Sequence, residues 1–412
     1  MQLREANCHA SAPRAKVVLF ALMGALLFLA SVSQSAQSQT YRVIHNFTDK
    51  KSDGATPYGG LILDRSGNLY GASYLGGLYA NGSVYRLVRS GDSWTYSSLY
   101  SFKGLSEGVK DGSGPGFGSL VMGADGLLFG TTESGGYFGT DFAVCDCPGK
   151  EVVIHQFGIG KDGAQPIGGV VLDPEGNFYG TTSLGGAFGN GTVFKETRSG
   201  HRWTESIIYN FTAENDPINP AAGVTLDPQG NLYGTASLGG TFGYGAVYQL
   251  SPSASGWTET VLYNFQNADD GANPVGGLVL DGAGNLYGST FDGGVNGGGI
   301  VYEMSPSTEG WTFTILYSLT GGYSGPYNKL TLDGKGNIYG FTNGAGANGL
   351  GSVFKLVPAN GGWTFTDLYD FVGGTTGGQP YGSVAVASDG KVFGTAVIGG
   401  SDNQGIVWEI TP

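Results

Sequence analysis

An aromatic residue followed by glycine closes a short apolar run at seven places: Tyr70-Gly71, Phe129-Gly130, Tyr179-Gly180, Tyr233-Gly234, Tyr287-Gly288, Tyr339-Gly340 and Phe393-Gly394. Successive copies lie 59, 50, 54, 54, 52 and 54 residues apart. A period of that size marks a chain built from one supersecondary unit that buries its faces by stacking on its neighbours. The repeats fill the chain without a break, so its 412 residues read as one large domain rather than two.

One repeat shows what the unit is. Val170-Val171-Leu172 is a short apolar run, Pro174-Glu175-Gly176 turns it, and residues 177–182 return as a second strand. A glycine-rich connection, Gly185-Gly186 to Gly191, leads to a third strand at residues 192–195 and a fourth at 203–211. Gly or Pro interrupts every stretch before helical periodicity develops. Four antiparallel strands repeated seven times predict an all-β fold, a seven-bladed β-propeller whose radial arrangement leaves short, protected edges. The ends support a closed ring. Residues 41–47 match the fourth strand of a repeat and residues 405–410 match the third, so the N-terminal strand is expected to complete the last blade.

Composition agrees with this and excludes several partners. Gly, at 77 residues, recurs in register with the strands and so punctuates turns. Residues 1–36 read as a secretory signal peptide: Arg4, Arg14 and Lys16 precede an apolar stretch from Val17 to Ala30 that is short for a bilayer span. The domain is then residues 37–412, secreted or periplasmic and not stably inserted in a membrane. Formal charge is −13 for the whole chain. Such a surface is a poor partner for nucleic acid or anionic lipid, both of which need clustered Lys and Arg.

The units, for example Pro274-Val275-Gly276-Gly277-Leu278 to Asn285-Leu286-Tyr287-Gly288 to Gly299-Ile300-Val301-Tyr302 and Trp311-Thr312, resemble the GloVer tandem repeat of bacterial exported proteins. Kelch repeats are a looser match. The resemblance covers about residues 41 to 412 and implies an exported, propeller-like protein of undefined biochemical role. Family members often carry a C-terminal sorting segment, whereas this sequence stops at Pro412 after its last strand, so release or periplasmic residence is expected.

Candidate site residues fall in three sets. Asp53, Asp111, Asp162, Asp216 and Asp270 each lie four residues before the proline that introduces a first strand. Around a channel mouth they could hold Ca²⁺ through oxygen ligands; alternatively each bonds its own turn backbone. A second acidic set, Asp64, Asp173, Asp227, Asp281 and Asp333, precedes Gly-Asn and is read as hairpin-turn chemistry. The third set is aromatic: Tyr79, Tyr137, Phe138, Phe188, Phe242 and Tyr244 sit in the connections between second and third strands, where they could stack on a sugar or pack on the next blade.

Catalytic machinery is sparse. His45 and His155 occupy a fourth-strand position held elsewhere by Tyr100, Tyr209, Tyr263, Tyr317 and Tyr369, His201 lies in a loop, and no serine elbow emerges. Cys145 and Cys147 are read as small hydrophobes, with a bridge between them as the alternative. The expectation is a non-catalytic, monomeric binding module without a cofactor, meeting an extracellular glycan or protein through Tyr137, Phe138, Phe188, Phe242 and Tyr244. The alternative is a Ca²⁺-dependent hydrolase, lactonase or lyase using the five upstream aspartates.

Overall fold

A computed structural model of the protein describes residues 39–48, 50–105, 111–146, 151–158, 160–212, 216–321 and 325–412. The signal peptide expected over residues 1–36 and Cys147 lie outside them. Residues 41–411 form one compact unit, and that unit is a seven-bladed propeller. Blade 1 orders its strands from the axis outward as Ile62–Leu63, Leu69–Ser73, Ser83–Ser90 and Ser93–Ser101, all antiparallel. Blades 2 to 6 repeat the plan, and the seventh closes as the sequence predicts. Its inner strands are Ala385–Val386, Val392–Ile398 and Ile406–Thr411, and its outer strand is the N-terminal segment Thr40–Asn46.

The aromatic-glycine doublet now has a cause. Each doublet glycine stands opposite the largest side chain of the third strand: Gly71 opposite Tyr85, Gly130 opposite Phe142, Gly180 opposite Phe194, Gly234 opposite Tyr248, Gly288 opposite Tyr302, Gly340 opposite Phe354 and Gly394 opposite Trp408. The facing ring lies over the glycine, so that any Cβ there would fall on the ring. The aromatic partner of the doublet is set by the turn before it. Tyr70, Tyr179, Tyr233, Tyr287 and Tyr339 each donate a hydroxyl hydrogen bond to the aspartate six residues earlier. Gly123 and Ala387 replace that aspartate in blades 2 and 7, and there the aromatic is Phe129 or Phe393. The second acidic set is therefore turn chemistry, as expected.

Seven apolar clusters fill the wedges between adjacent blades, and the one joining blade 7 to blade 1 holds Phe393 and Val407 against Leu61, Leu69 and Tyr85. That cluster, like the strand pairing, closes the ring. At the other end of blades 1 to 5 and 7, the connection entering the inner strand is tied to the loop between second and third strands, as where Gly163–Ala164 pairs with Leu184–Gly185. Both connections thus share one face of the disc. The tight turns occupy the opposite face.

Candidate functional site

Just after each blade proline the chain reaches the propeller axis. The residue before the proline takes a left-handed backbone at Thr56, Gln165, Asn219, Asn273 and Gln379, with φ between 52° and 60°. Such a conformation is uncommon outside glycine and marks a forced reversal. Around the axis the next positions are small, because neighbouring inner strands abut backbone to backbone: a Cβ on Gly223 would meet the Gly169 carbonyl, and one on Gly382 the Gly59 carbonyl. Blade 6 breaks this rule. Where blades 1, 3 and 5 carry Gly59-Gly60, Gly168-Gly169 and Gly276-Gly277, it carries Asn328-Lys329.

Those two side chains organise an axial cavity of about 430 Å³. Asn328 donates through Nδ2 to the Phe117 carbonyl of blade 2 at 2.7 Å, and its Oδ1 accepts from Ser383 Oγ of blade 7 at 3.1 Å. Lys329 reaches Thr225 Oγ1 of blade 4 at 3.1 Å. Much of the remaining wall is apolar, including Ile167, Val171, Val224 and Val275. Lys329 keeps some exposure because the cavity reaches it, yet protein surrounds it, and burial pushes its ammonium down to about 8 from 10.5. It forms no ion pair with a carboxylate among the described residues.

An aromatic collar covers part of the mouth. Tyr58 stacks on Phe117 with ring centroids 5.0 Å apart and meets Tyr381 edge-on at 4.8 Å, while Tyr381 stacks on Tyr327 at 4.6 Å. Burial, with neighbouring Tyr327 and Tyr58, pushes the Tyr381 hydroxyl well above its usual range, so it stays a neutral donor. The equivalent positions in blades 3, 4 and 5 are Ile167, Ala221 and Val275. One half of the mouth is aromatic and the other aliphatic.

The residues singled out from sequence sit elsewhere. Asp53, Asp111, Asp162, Asp216 and Asp270 each accept from the backbone of their own connection, at Thr48 N, Lys103 N, Gly158 N, Thr212 N and Gln266 N. Each also takes a hydrogen bond from the polar tip of its own outer strand: His45, Tyr100, His155, Tyr209 and Tyr263. The five recur blade by blade as loop anchors and share none of these partners. Tyr79, Tyr137, Phe188, Phe242 and Tyr244 are exposed on their loops, at 40 to 61%, and Phe138 is half-buried. Cys145 is disulfide-bonded, which replaces the small-hydrophobe reading; its partner lies outside the described residues.

A family model matches residues 137–324 and 226–412. The chain belongs to the Gloeobacter/Verrucomicrobia repeat family. The GloVer resemblance read from the repeat units is thereby established, and no curated protein matches the chain. Solved structures with this fold include an ulvan lyase, 13% identical with a TM-score of 0.53 over 89% of this chain and 94% of the other. The same kind of lyase bound to a sulfated glucuronate–rhamnose fragment is 12% identical, with a TM-score of 0.52 over 89% and 94%. A candidate 6-phosphogluconolactonase from Bacteroides uniformis is 13% identical, with a TM-score of 0.50 over 82% and 92%. At such identities the likeness carries the fold alone. Among the repeats of this chain, blade 6 stands apart because Asn328-Lys329 takes the place of the glycine doublet of blades 1, 3 and 5, and that break gains weight because the axis runs past it.

Proposed function

We propose that the protein is an exported, non-catalytic binding propeller that takes a carboxylate-bearing sugar or a similar small organic acid in the axial cavity. The observation that carries this is Lys329, a cation without a carboxylate partner set into a largely apolar wall. A charge so placed is costly to the free protein and favourable once an anion meets it. A cavity of a few hundred cubic ångströms with a few converging polar groups is typical of small-ligand sites. Asn328 adds hydrogen-bonding capacity beside the ammonium, and the lining rings of Phe117, Tyr327 and Tyr381 offer flat faces to the apolar side of a pyranose or an aromatic ring. The apolar stretch at residues 17–30 supports export. The rim aromatics remain candidates for contact with the rest of a longer glycan.

Thermal-shift and calorimetric titration with glucuronate, galacturonate and benzoate, with glucose as the neutral control, tests the reading. The acids should raise the melting temperature, glucose should not, and Lys329→Met should abolish the effect. Silence toward every acid, or equal binding by Lys329→Met, overturns it.

A further inference from the structure

At every blade junction a third-strand residue of one blade packs with a third-strand residue of the next, deep in the wedge. Six junctions use an apolar pair: Val84 with Val144, Val193 with Leu250, Val247 with Met304, Val301 with Leu356, Val353 with Ile410 and Val407 with Leu87. The junction of blades 2 and 3 has Asp141 and Glu196 in those places, respectively 0% and 1% exposed. Both Asp141 oxygens and Glu196 Oε1 are out of reach of water and accept no hydrogen bond.

The substitution extends outward along the same wedge. At three other junctions outer-strand aromatics of adjacent blades stack, Tyr263 on Phe313 at 3.9 Å, Tyr317 on Phe365 at 4.4 Å and Tyr41 on Tyr369 at 3.7 Å, while the junction of blades 3 and 4 sets Tyr209 against Glu259. Between blades 2 and 3 the two places hold His155 and Glu205. His155 Nε2 lies 3.3 Å from Asp162 Oδ2 and 3.9 Å from Glu205 Oε2, and its Nδ1 lies 3.9 Å from Glu196 Oε1. One ligand atom each from His155, Asp162 and Glu205 falls within 4.8 Å of the others. Asp141 stands opposite His155 in the strand ladder of blade 2, and its buried carboxylate lies near Glu196, Glu205 and Asp162. Four carboxylates therefore meet one imidazole at the junction of blades 2 and 3, outside its apolar cluster, where the six other junctions place an apolar third-strand pair.

We propose that this junction binds a divalent transition-metal ion through His155, Asp162 and Glu205, with Asp141 and Glu196 supplying the deeper carboxylate charge. Carboxylates buried without partners call for a compensating cation. A set that includes imidazole suits Zn²⁺ or Mn²⁺ rather than Ca²⁺ or Mg²⁺, which favour ligation by oxygen alone. Such an ion would pin blade 2 to blade 3. This assignment is independent of the axial cavity, and it gives Asp162 a part that Asp53, Asp111, Asp216 and Asp270 do not share.

The test uses the full secreted domain after EDTA treatment, titrated calorimetrically with ZnCl₂, MnCl₂ and CaCl₂. One equivalent of Zn²⁺ or Mn²⁺ should bind and raise the melting temperature by about 3 °C or more at a hundredfold excess over Kd. Asp141→Val with Glu196→Leu restores the apolar pair of the other junctions, so it should fold and lose the metal response. His155→Tyr with Glu205→Phe, which restores the aromatic pair, should do the same. Indifference of the wild type to all three ions, binding of Ca²⁺ alone, or a metal response surviving in both double variants would overturn the assignment.

Discussion

The ammonium of Lys329 in blade 6 donates to the hydroxyl of Thr225 in blade 4, 3.1 Å away across the axis of the ring. A hydroxyl satisfies one proton of an ammonium and none of its charge. The folded chain therefore holds this group at about 8, against 10.5 for an ordinary lysine. Between those values the unfolded chain binds more protons, so stability rises with pH there, while below about pH 8 the cost of the buried charge is present in full.

Lys329→Met should accordingly be more stable than wild type at pH 7, by roughly 1 to 3 kcal/mol. The difference should shrink toward zero as pH approaches 10.5. Urea denaturation of both proteins at pH 7, 9 and 10.5 reads this directly. A difference that does not change with pH would mean that the ammonium is hydrated.

Asp333 illustrates the opposite sign. It accepts from Lys335 N at 2.8 Å, Asn337 N at 3.0 Å, Asn337 Nδ2 at 2.7 Å and the Tyr339 hydroxyl at 3.1 Å. Burial opposes its charge, but these donors outweigh burial and hold the carboxyl below its usual range. Its contribution is present above about pH 4 and is lost as pH falls through the lowered value. Asp333→Ala should cost about 1 to 3 kcal/mol at pH 7, and the gap should narrow in denaturation curves taken near pH 3.

Gly288 faces Tyr302, and an added Cβ would strike the phenol ring at 2.5 Å and Leu278 Cδ2 at 2.9 Å. Both neighbours are fully buried, so neither can swing away. Gly288→Ala should lower stability by about 1 to 3 kcal/mol or more through overpacking. Adding Tyr302→Val should recover part of the loss, despite the deleted volume, whereas Tyr302→Val alone should be destabilising. If the two effects simply add in a double-mutant cycle, the ring is not what excludes a side chain at Gly288.

Closure of the ring rests on the N-terminal strand. Tyr41 stacks on Tyr369 at 3.7 Å, Arg42 pairs with the buried Glu409 at 2.6 Å and Phe47 is fully buried between blades 7 and 1. Deleting residues 37–48 removes several such groups, at roughly 1.5 to 3 kcal/mol for each large apolar side chain, from a total of about 5 to 15 kcal/mol. The truncated chain should be insoluble or melt far below wild type, and removal of residues 1–36 alone should leave the melting temperature unchanged. A soluble monomer lacking residues 37–48 with a wild-type melting temperature would show that the ring does not depend on this strand.

The sequence by itself determined the fold, the number of blades and the closing strand, because each rests on periodic local chemistry: an aromatic over a glycine, an aspartate in a turn, a proline before an inner strand. It left the turn bonding of the upstream aspartates legible as one of two readings, and in the structure the five make equivalent bonds to the backbone of their own connections. What it did not disclose was which departures from the repeat meet one another. Asn328 and Lys329 lie 104 and more residues from the Thr225 and Phe117 groups they bond. Asp141 and Glu196 stand in different repeats, at valine and leucine positions that look independent along the chain. Only the curvature of the ring brings blade 6 across the axis to blades 2 and 4, and sets the third strand of blade 2 against that of blade 3. A repeat dictates its own contacts through short-range sterics and hydrogen bonding, whereas a site made from exceptions to the repeat exists only where the closed ring brings them together.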